Sequence, residues 1–228
     1  MTAGPPRPAR VAAEPAVSAS FARRAWYFFM RFVVGSIGLT YFRLRCSGRE
    51  QVPKSGGCLL LANHQSHLDP PLVGLAVPRP ISYVARETLF RNPVFGALLR
   101  SLNAIPIDRE GLGLSGLKET MRRLKRGEIV LLFPEGTRTA DGAVQPLRPG
   151  FSALVQRCGV PVVPVGIDGA FQAWPRSAKF PRLGRVQVVI GAPITIERTR
   201  ELDDRELVQL VYDQLRACHA EARARRER

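Results

Sequence analysis

Cys58-Leu59-Leu60-Leu61-Ala62, then Asn63-His64-Gln65-Ser66-His67-Leu68-Asp69, then Pro70-Pro71-Leu72-Val73-Gly74-Leu75-Ala76-Val77: the reading of this run decides the fold. A short unbroken apolar segment reads as a strand buried on both faces, because a strand with one wet face would alternate. Proline is favoured in the first turn of a helix, and the residue before proline is pushed out of the α region. A helix is therefore predicted over Pro70 to Val77, with Asp69 as its N-cap and His64 in the loop that leads in. Strand, polar loop and helix in that order make one β-α unit.

The pattern recurs along the chain. Apolar runs predict strands at Tyr41 to Cys46, Cys58 to Ala62, Ile81 to Ala85, Ala104 to Ile107, Ile129 to Phe133, Val160 to Val165 and Val186 to Ile190. Helices are predicted at Pro70 to Val77, Asn92 to Ser101, Ser115 to Lys125, Gly150 to Cys158 and Asp203 to about Arg223. Leu117, Met121 and Leu124 share one face of the third. The last opens with Asp203 and Glu206 in capping-box spacing and turns Leu207, Leu210, Val211 and Leu215 inward. The expected fold class is α/β: a single domain with a mostly parallel sheet of about seven strands flanked by helices.

With 228 residues, 45% of them hydrophobic, the chain can bury a core of its own. Its formal net charge of +15, from 34 Lys+Arg against 19 Asp+Glu, predicts attraction to anionic surfaces such as nucleic acid or acidic lipid. Cys46, Cys58, Cys158 and Cys218 have no metal-ligand spacing, so reduced thiols and a cytosol-facing protein are expected.

Residues 1–20, rich in Pro, Ala and Arg, hold too few aromatic and β-branched residues to offset the entropy of ordering, so a disordered tail is expected. Trp26 to Phe42 is apolar and aromatic but interrupted by Arg31. At 1.5 Å per residue it reaches about 25 Å, short of the ~30 Å hydrocarbon layer. With Arg23, Arg24, Arg43, Arg45 and Arg49 beside it, the segment 21–42 suits an amphipathic or apolar helix that anchors the chain on an anionic membrane surface. A helix buried against the core is the other reading; a secretory signal is disfavoured by Arg31 and by the missing cleavage site. The organisation is thus a tail at 1–20, a membrane-associating helix at 21–42, the α/β domain at 43–216 and a charged, solvated tail at 217–228.

His64 and Asp69 stand five apart, which on a helix would leave them about 140° from facing each other, so a turn must bring them together. A carboxylate on one imidazole nitrogen leaves the other free as a base at neutral pH. Alternatively Asp69 only caps and His64 is an ordinary loop residue. A metal site on His64, His67 and Asp69 lacks a fourth ligand of credible spacing, with His219 far off in the tail.

A second polar cluster, Phe133-Pro134-Glu135-Gly136-Thr137-Arg138-Thr139, ends the Ile129 to Phe133 run. Pro134 stops the strand, Gly136 lets a ligand approach the backbone, and Arg138 offers a planar fork for phosphate. A tight turn with a solvated Glu/Arg pair is the plainer reading. Ile107-Asp108-Arg109 adds another arginine after a short strand. Gly113-Leu114-Ser115-Gly116 lacks the spacing of a hydrolase elbow, and the chain has no zinc spacing, RNP-like strand or evident helix-turn-helix, which argues against a hydrolase and against nucleic-acid binding.

Taken together, these segments resemble the glycerolipid acyltransferase family, the 1-acyl-sn-glycerol-3-phosphate and lysophospholipid acyltransferases, from about Gly48 to Ile196. Asn63-His64 through Asp69, with Ser66, resembles its His-x4-Asp catalytic motif; Ile107-Asp108-Arg109 resembles the second, glycerol-phosphate motif. Phe133 to Arg138 matches the third, and Val162-Val163-Pro164-Val165 is similar to the fourth, associated with the acyl site. The third motif is often followed by a lysine before a glycine; Arg148-Pro149-Gly150 stands there instead. The resemblance implies an O-acyltransferase without metal or other cofactor, with His64 as general base and Asp69 as its orienting carboxylate. It implies substrate contacts from Asn63, Ser66, Arg109, Glu135, Gly136, Thr137, Arg138 and Pro164. The implied partners are acyl-CoA or acyl carrier protein, a lysophospholipid acceptor, of which lysophosphatidic acid is the best match, and the cytoplasmic face of the cell membrane; no nucleic acid is implied.

Overall fold

The computed structural model describes residues 21–107 and 113–228, so the expected 1–20 tail and Arg109 lie outside the described residues. In chain order the elements are α1 (Phe21–Thr40), β1 (Arg45–Ser47), β2 (Cys58–Ala62), α2 (Asp69–Ala76), β3 (Ile81–Arg86), α3 (Pro93–Ser101), β4 (Ala104–Ile107), α4 (Gly113–Lys125) and β5 (Ile129–Leu132). There follow α5 (Ser152–Cys158), β6 (Val162–Asp168), α6 (Ala170–Ala173), β7 (Gln187–Ile190), α7 (Ile196–Glu201) and α8 (Asp204–Glu227).

The strands form one sheet in the order β1-β7-β6-β2-β5-β3-β4. Among the described strands β6–β7 is the one antiparallel pair, so the sheet is the mostly parallel seven-stranded one expected. The central strands β2, β5 and β6 are buried along their whole length. Alternation across β2 explains why: Cys58, Leu60 and Ala62 pack with Leu72 and Val73 of α2, while Leu59 and Leu61 face Leu154 of α5 and Leu207, Val211 and Leu215 of α8. Helices cover both faces, and the strands are therefore apolar throughout rather than alternating.

Several boundaries move for physical reasons. The first strand begins at Arg45, not Tyr41, because α1 runs to Thr40 and Arg43 takes a left-handed φ of 42°, which breaks extension. β6 continues past Val165 to Asp168, paired with β7. The predicted Gly150 to Cys158 helix opens as a 3-10 turn over Pro149–Phe151. The short helices α6 and α7 carry too little periodicity to be read from sequence.

The solvated tail beyond Arg216 is corrected. α8 runs on to Glu227 and buries Cys218, His219 and Ala222. The sheet makes room for it with glycine: a Cβ on Gly166 would lie 2.2 Å from the Cys218 carbonyl carbon, and one on Gly191 would lie 2.6 Å from the Cys218 Sγ.

Arg31, the residue that interrupts the aromatic stretch, turns inward. Its guanidinium donates to the carbonyl oxygens of Leu75 (3.1 Å) and Val77 (2.8 Å) and to that of Gly74, the orphan acceptors at the end of α2. Among the described residues no helix is long and apolar enough to cross a membrane. α1 nonetheless leaves Phe21, Phe28, Phe29, Phe32 and Leu39 exposed.

Candidate active site

β2 and β5 lie side by side and parallel, with Leu61 opposite Leu132, so the loops that follow them leave the same edge of the sheet as neighbours. That adjacency unites the two polar clusters. The His64 N–H donates to Glu135 Oε1 (2.9 Å), and the Thr139 N–H donates to the His64 carbonyl (2.8 Å).

His64 Nδ1 lies 2.7 Å from Asp69 Oδ2. The same oxygen accepts from the Gln65 N–H (2.6 Å) and the Ser66 N–H (2.7 Å). Asp69 is the first residue of α2 rather than its N-cap, and its carboxylate looks back into the loop. Pro70 and Pro71 offer no N–H for a cap to hold, which leaves the carboxylate to the imidazole and the two loop amides. Asp69 is fully buried while the His64 side chain keeps 20% exposure. The ring stacks on Phe133 at 4.1 Å between centroids, so the carboxylate and the phenyl ring together fix its orientation, and Nε2 has no hydrogen bond among the described residues. A half-buried imidazole with one nitrogen tied to a carboxylate and the other free can take a proton from a bound hydroxyl.

Around it the expected contacts divide. Asn63, Ser66 and Glu135 are buried; the side chains of the first two are engaged inside the protein, whereas Glu135 holds the His64 N–H with Oε1 and leaves Oε2 without a hydrogen bond among the described residues. Asn63 clamps β2 to β6 through the Ile167 carbonyl (2.9 Å) and N–H (2.7 Å). Ser66 Oγ donates to the Trp174 carbonyl at 2.9 Å. Burial is the main cause that pushes the Glu135 carboxyl up to about 8, aided by Asp69 and Asp141 and opposed by the backbone N–H donors of His64 and Gln145. Pro164 sits inside β6, paired with Leu61 on one side and accepting from the Gly191 N–H on the other, so the structure does not bring it to the loops.

Gly136 and Thr137 are exposed and Arg138 is half-buried, in the loop whose Thr139 is bonded to His64. Gly136 holds φ at 70°, and a Cβ there would meet Arg148 Nε at 2.7 Å, so this glycine serves both the turn and the approach of Arg148. Burial first, then the charges of Arg176 and Arg86, lowers the affinity of Arg138 for its proton against the opposing charge of Asp69, and its Nη1 has no hydrogen-bond partner among the described residues. Burial, then the Arg138 charge, likewise lowers the His67 imidazole. Arg86 and Arg176 thus lie within electrostatic reach of Arg138. Among the described residues no group of three His, Cys, Asp or Glu could hold a metal.

Sequence reasoning missed a second layer beneath the loop. Gln65 donates to the Gly142 carbonyl (2.8 Å), accepts from the Phe171 N–H (3.2 Å) and meets His219 Nε2 at 3.2 Å. His219 in turn lies 3.3 Å from Asp168 Oδ1, whose other oxygen takes Arg226. Burial alone would raise the Asp168 carboxyl, but His219 and Arg226 hold it down to about 2. One signal was available: His219 continues the Leu215 stripe at helical spacing, on the face turned to the sheet.

A sequence model of the Acyltransferase family matches residues 43–168. The chain is 34% identical to a 1-acyl-sn-glycerol-3-phosphate acyltransferase of Bacillus subtilis over 148 residues, 64% of this chain and 71% of that protein. It is 36% identical to the enzyme of that name from Pseudomonas aeruginosa over 161 residues, spanning 68% of this chain and 60% of that protein. The crystal structure of the 1-acyl-sn-glycerophosphate (LPA) acyltransferase of Thermotoga maritima superposes with a TM-score of 0.78 at 26% identity, covering 89% of this chain and 82% of that one.

Proposed function

This chain belongs to the acyltransferase family and is an O-acyltransferase, and from that premise we propose that it moves a fatty acyl group from a thioester to the free hydroxyl of 1-acyl-sn-glycerol 3-phosphate, giving phosphatidic acid. The observation that carries the mechanism is the 2.7 Å contact of His64 Nδ1 with a fully buried Asp69, which leaves Nε2 open beside a cluster of arginines.

His64 Nε2 takes the hydroxyl proton as the oxygen attacks the thioester carbonyl carbon. The tetrahedral intermediate collapses, the C–S bond breaks, and the imidazolium returns the proton to the departing sulfur, leaving an ester and a free thiol. Asp69 fixes the tautomer and offsets the imidazolium charge. The donor, acyl-CoA or acyl carrier protein, arrives already activated, so no protein nucleophile is needed. A positioned base of this kind contributes about 10²- to 10⁴-fold. Arg138, with Arg86 and Arg176 in electrostatic reach and Arg148 over Gly136, orients the acceptor by its phosphate; Arg109 and Thr137 belong to the same proposal. The exposed aromatic face of α1 rests in the interface of the cytoplasmic leaflet, beside the basic surface, and brings the mouth to substrates that live in the bilayer.

The test is a panel of acceptors, with and without a phosphate, offered with one long-chain acyl-CoA, the lipid products read by mass spectrometry. Lysophosphatidic acid should be the preferred acceptor, and His64→Ala should abolish transfer while far-ultraviolet circular dichroism is unchanged. A folded His64→Ala variant with near-parental turnover refutes the assignment of the base.

A further inference from the structure

Away from the His64 mouth, six arginines, Arg43, Arg45, Arg185, Arg225, Arg226 and Arg228, line a cleft of about 150 Å³ together with Val186 and Gln187. Three elements that are remote in sequence bring them together. Arg45 opens β1 and pairs with Gln187, the first residue of β7, which places Arg185 beside it. α8 ends over the same spot, tied there by Arg226 to Asp168.

The cleft is far from neutral. Arg226 is paired with Asp168 and Arg225 with Glu221 at 2.7 Å, whereas Arg43, Arg45 and Arg185 make no ion pair with a described residue. Crowded like charges repel, and an arrangement of this kind persists at a cost that a bound anion removes. Arg43 adds an independent sign: its φ of 42° is one that glycine or asparagine would take without strain, yet an arginine stands there. Residues held in sparsely populated backbone regions cluster where a ligand is gripped.

Charge alone would suit any anion, but planar guanidinium forks match the tetrahedral oxygens of phosphate in paired N–H···O contacts. We propose that this cleft is a second anion site, separate from the catalytic mouth, that binds a phosphate group. Its placement narrows the use. β7 runs antiparallel to β6, with Asp168 opposite Gln187, so the cleft opens at the sheet edge from which the catalytic loops also leave. A phosphate held there lies on the same side of the molecule as the reaction. The site does not depend on acyl transfer being the reaction, since none of its residues takes part in that chemistry.

The experiment uses the full chain and two probes: flotation with phosphatidylcholine vesicles made with and without phosphatidylglycerol, and calorimetric titration with inorganic pyrophosphate. Arg43→Gln/Arg185→Gln is compared with Arg157→Gln/Arg205→Gln, which removes the same charge from α5 and from the far end of α8, where both arginines are exposed. Removing two cleft arginines should weaken binding about 30-fold, at the usual gain of a basic residue near an anionic surface. The control pair should change little. Loss confined to vesicles identifies a lipid headgroup as the source of the phosphate; loss in pyrophosphate binding identifies a free one. Equal weakening by the control pair, or no weakening by the cleft pair in either arm, overturns the proposal. Arg43→Gly supplies a check independent of folding: it relieves the left-handed backbone, so its Tm should rise while its phosphate binding falls. Transfer to a detergent-dispersed acceptor is measured beside both arms, and the cleft pair should retain it, so a failed cleft and a failed catalytic assignment read differently.

Discussion

Replacing Asp69 by Asn changes one buried oxygen for an NH2 group at the point where three donors converge: His64 Nδ1, the Gln65 N–H and the Ser66 N–H. Two arrangements of the amide are available. If its oxygen stays toward the loop, all three donors keep an acceptor, but the imidazolium that forms during proton transfer has lost its counter-charge. At about 4 Å between charge centres and an effective dielectric near 20, that loss is about 4 kcal/mol. If the amide turns its NH2 to the ring, Nδ1 must accept, the proton moves to Nε2, and the base is blocked. The first case alone predicts a fall in kcat of about 10³-fold. The KM for the acceptor should stay the same, because Asp69 is fully buried and does not reach the mouth. Loss of the charge-assisted bonds to the loop amides also lowers stability by about 2 kcal/mol, so turnover must be read well below the variant's Tm. The assay is thiol release from acyl-CoA with lysophosphatidic acid, with circular dichroism as the check on folding. A folded Asp69→Asn enzyme whose kcat stays within about tenfold of the parent would refute the role given to the carboxylate.

Arg138→Ala should raise KM for phosphate-bearing acceptors far more than for phosphate-free ones; equal loss on both would contradict its place at the phosphate. The Glu135 carboxyl sits at about 8 against an ordinary 4.5, so between those values the folded chain holds a proton that the unfolded chain has released. Stability should therefore fall as pH rises through that window. Thermal melts in a pH series should show the decline, and Glu135→Gln should flatten it; a parent Tm that rises over the window would sink the reading. Asp168→Asn leaves Arg226 and Arg223 without their counter-charge and should cost about 2 kcal/mol in urea unfolding, less than the ~3–5 kcal/mol of a wholly buried pair because both arginines are partly exposed. With the Asp168 carboxyl held at about 2 against 3.8 unfolded, its contribution is present above the unfolded value and should vanish as pH falls toward the folded one; the parent but not the variant should show that acid loss.

The sheet was legible because β2, β5 and β6 are buried on both faces and read as unbroken apolar runs. The β-α-loop logic likewise led to His64, Asp69 and the Glu135 to Arg138 turn, all local in sequence. Long-range partners were not legible. Gln65 meets His219 across 154 residues, and Asn63 clamps Ile167 across 104, and nothing in either neighbourhood names the other. Polarity alone could not place Asn63 and Ser66, since residue type cannot say whether a polar group faces a ligand or, as both do here, a backbone carbonyl. It misled at the end of α8, where the Arg and Glu residues conceal one buried stripe. Asp69 shows the finest difference: the two prolines that announce a helix also remove the amides a cap would need.

α2 joins two matters that look unrelated. Its first residue holds the His64 ring, and its last carbonyls are gripped by Arg31 from the aromatic helix. Eight residues at 1.5 Å apiece make a strut about 12 Å long. That strut is a direct mechanical link between α1 and the His64–Asp69 pair, so a shift of the aromatic helix reaches the imidazole through α2.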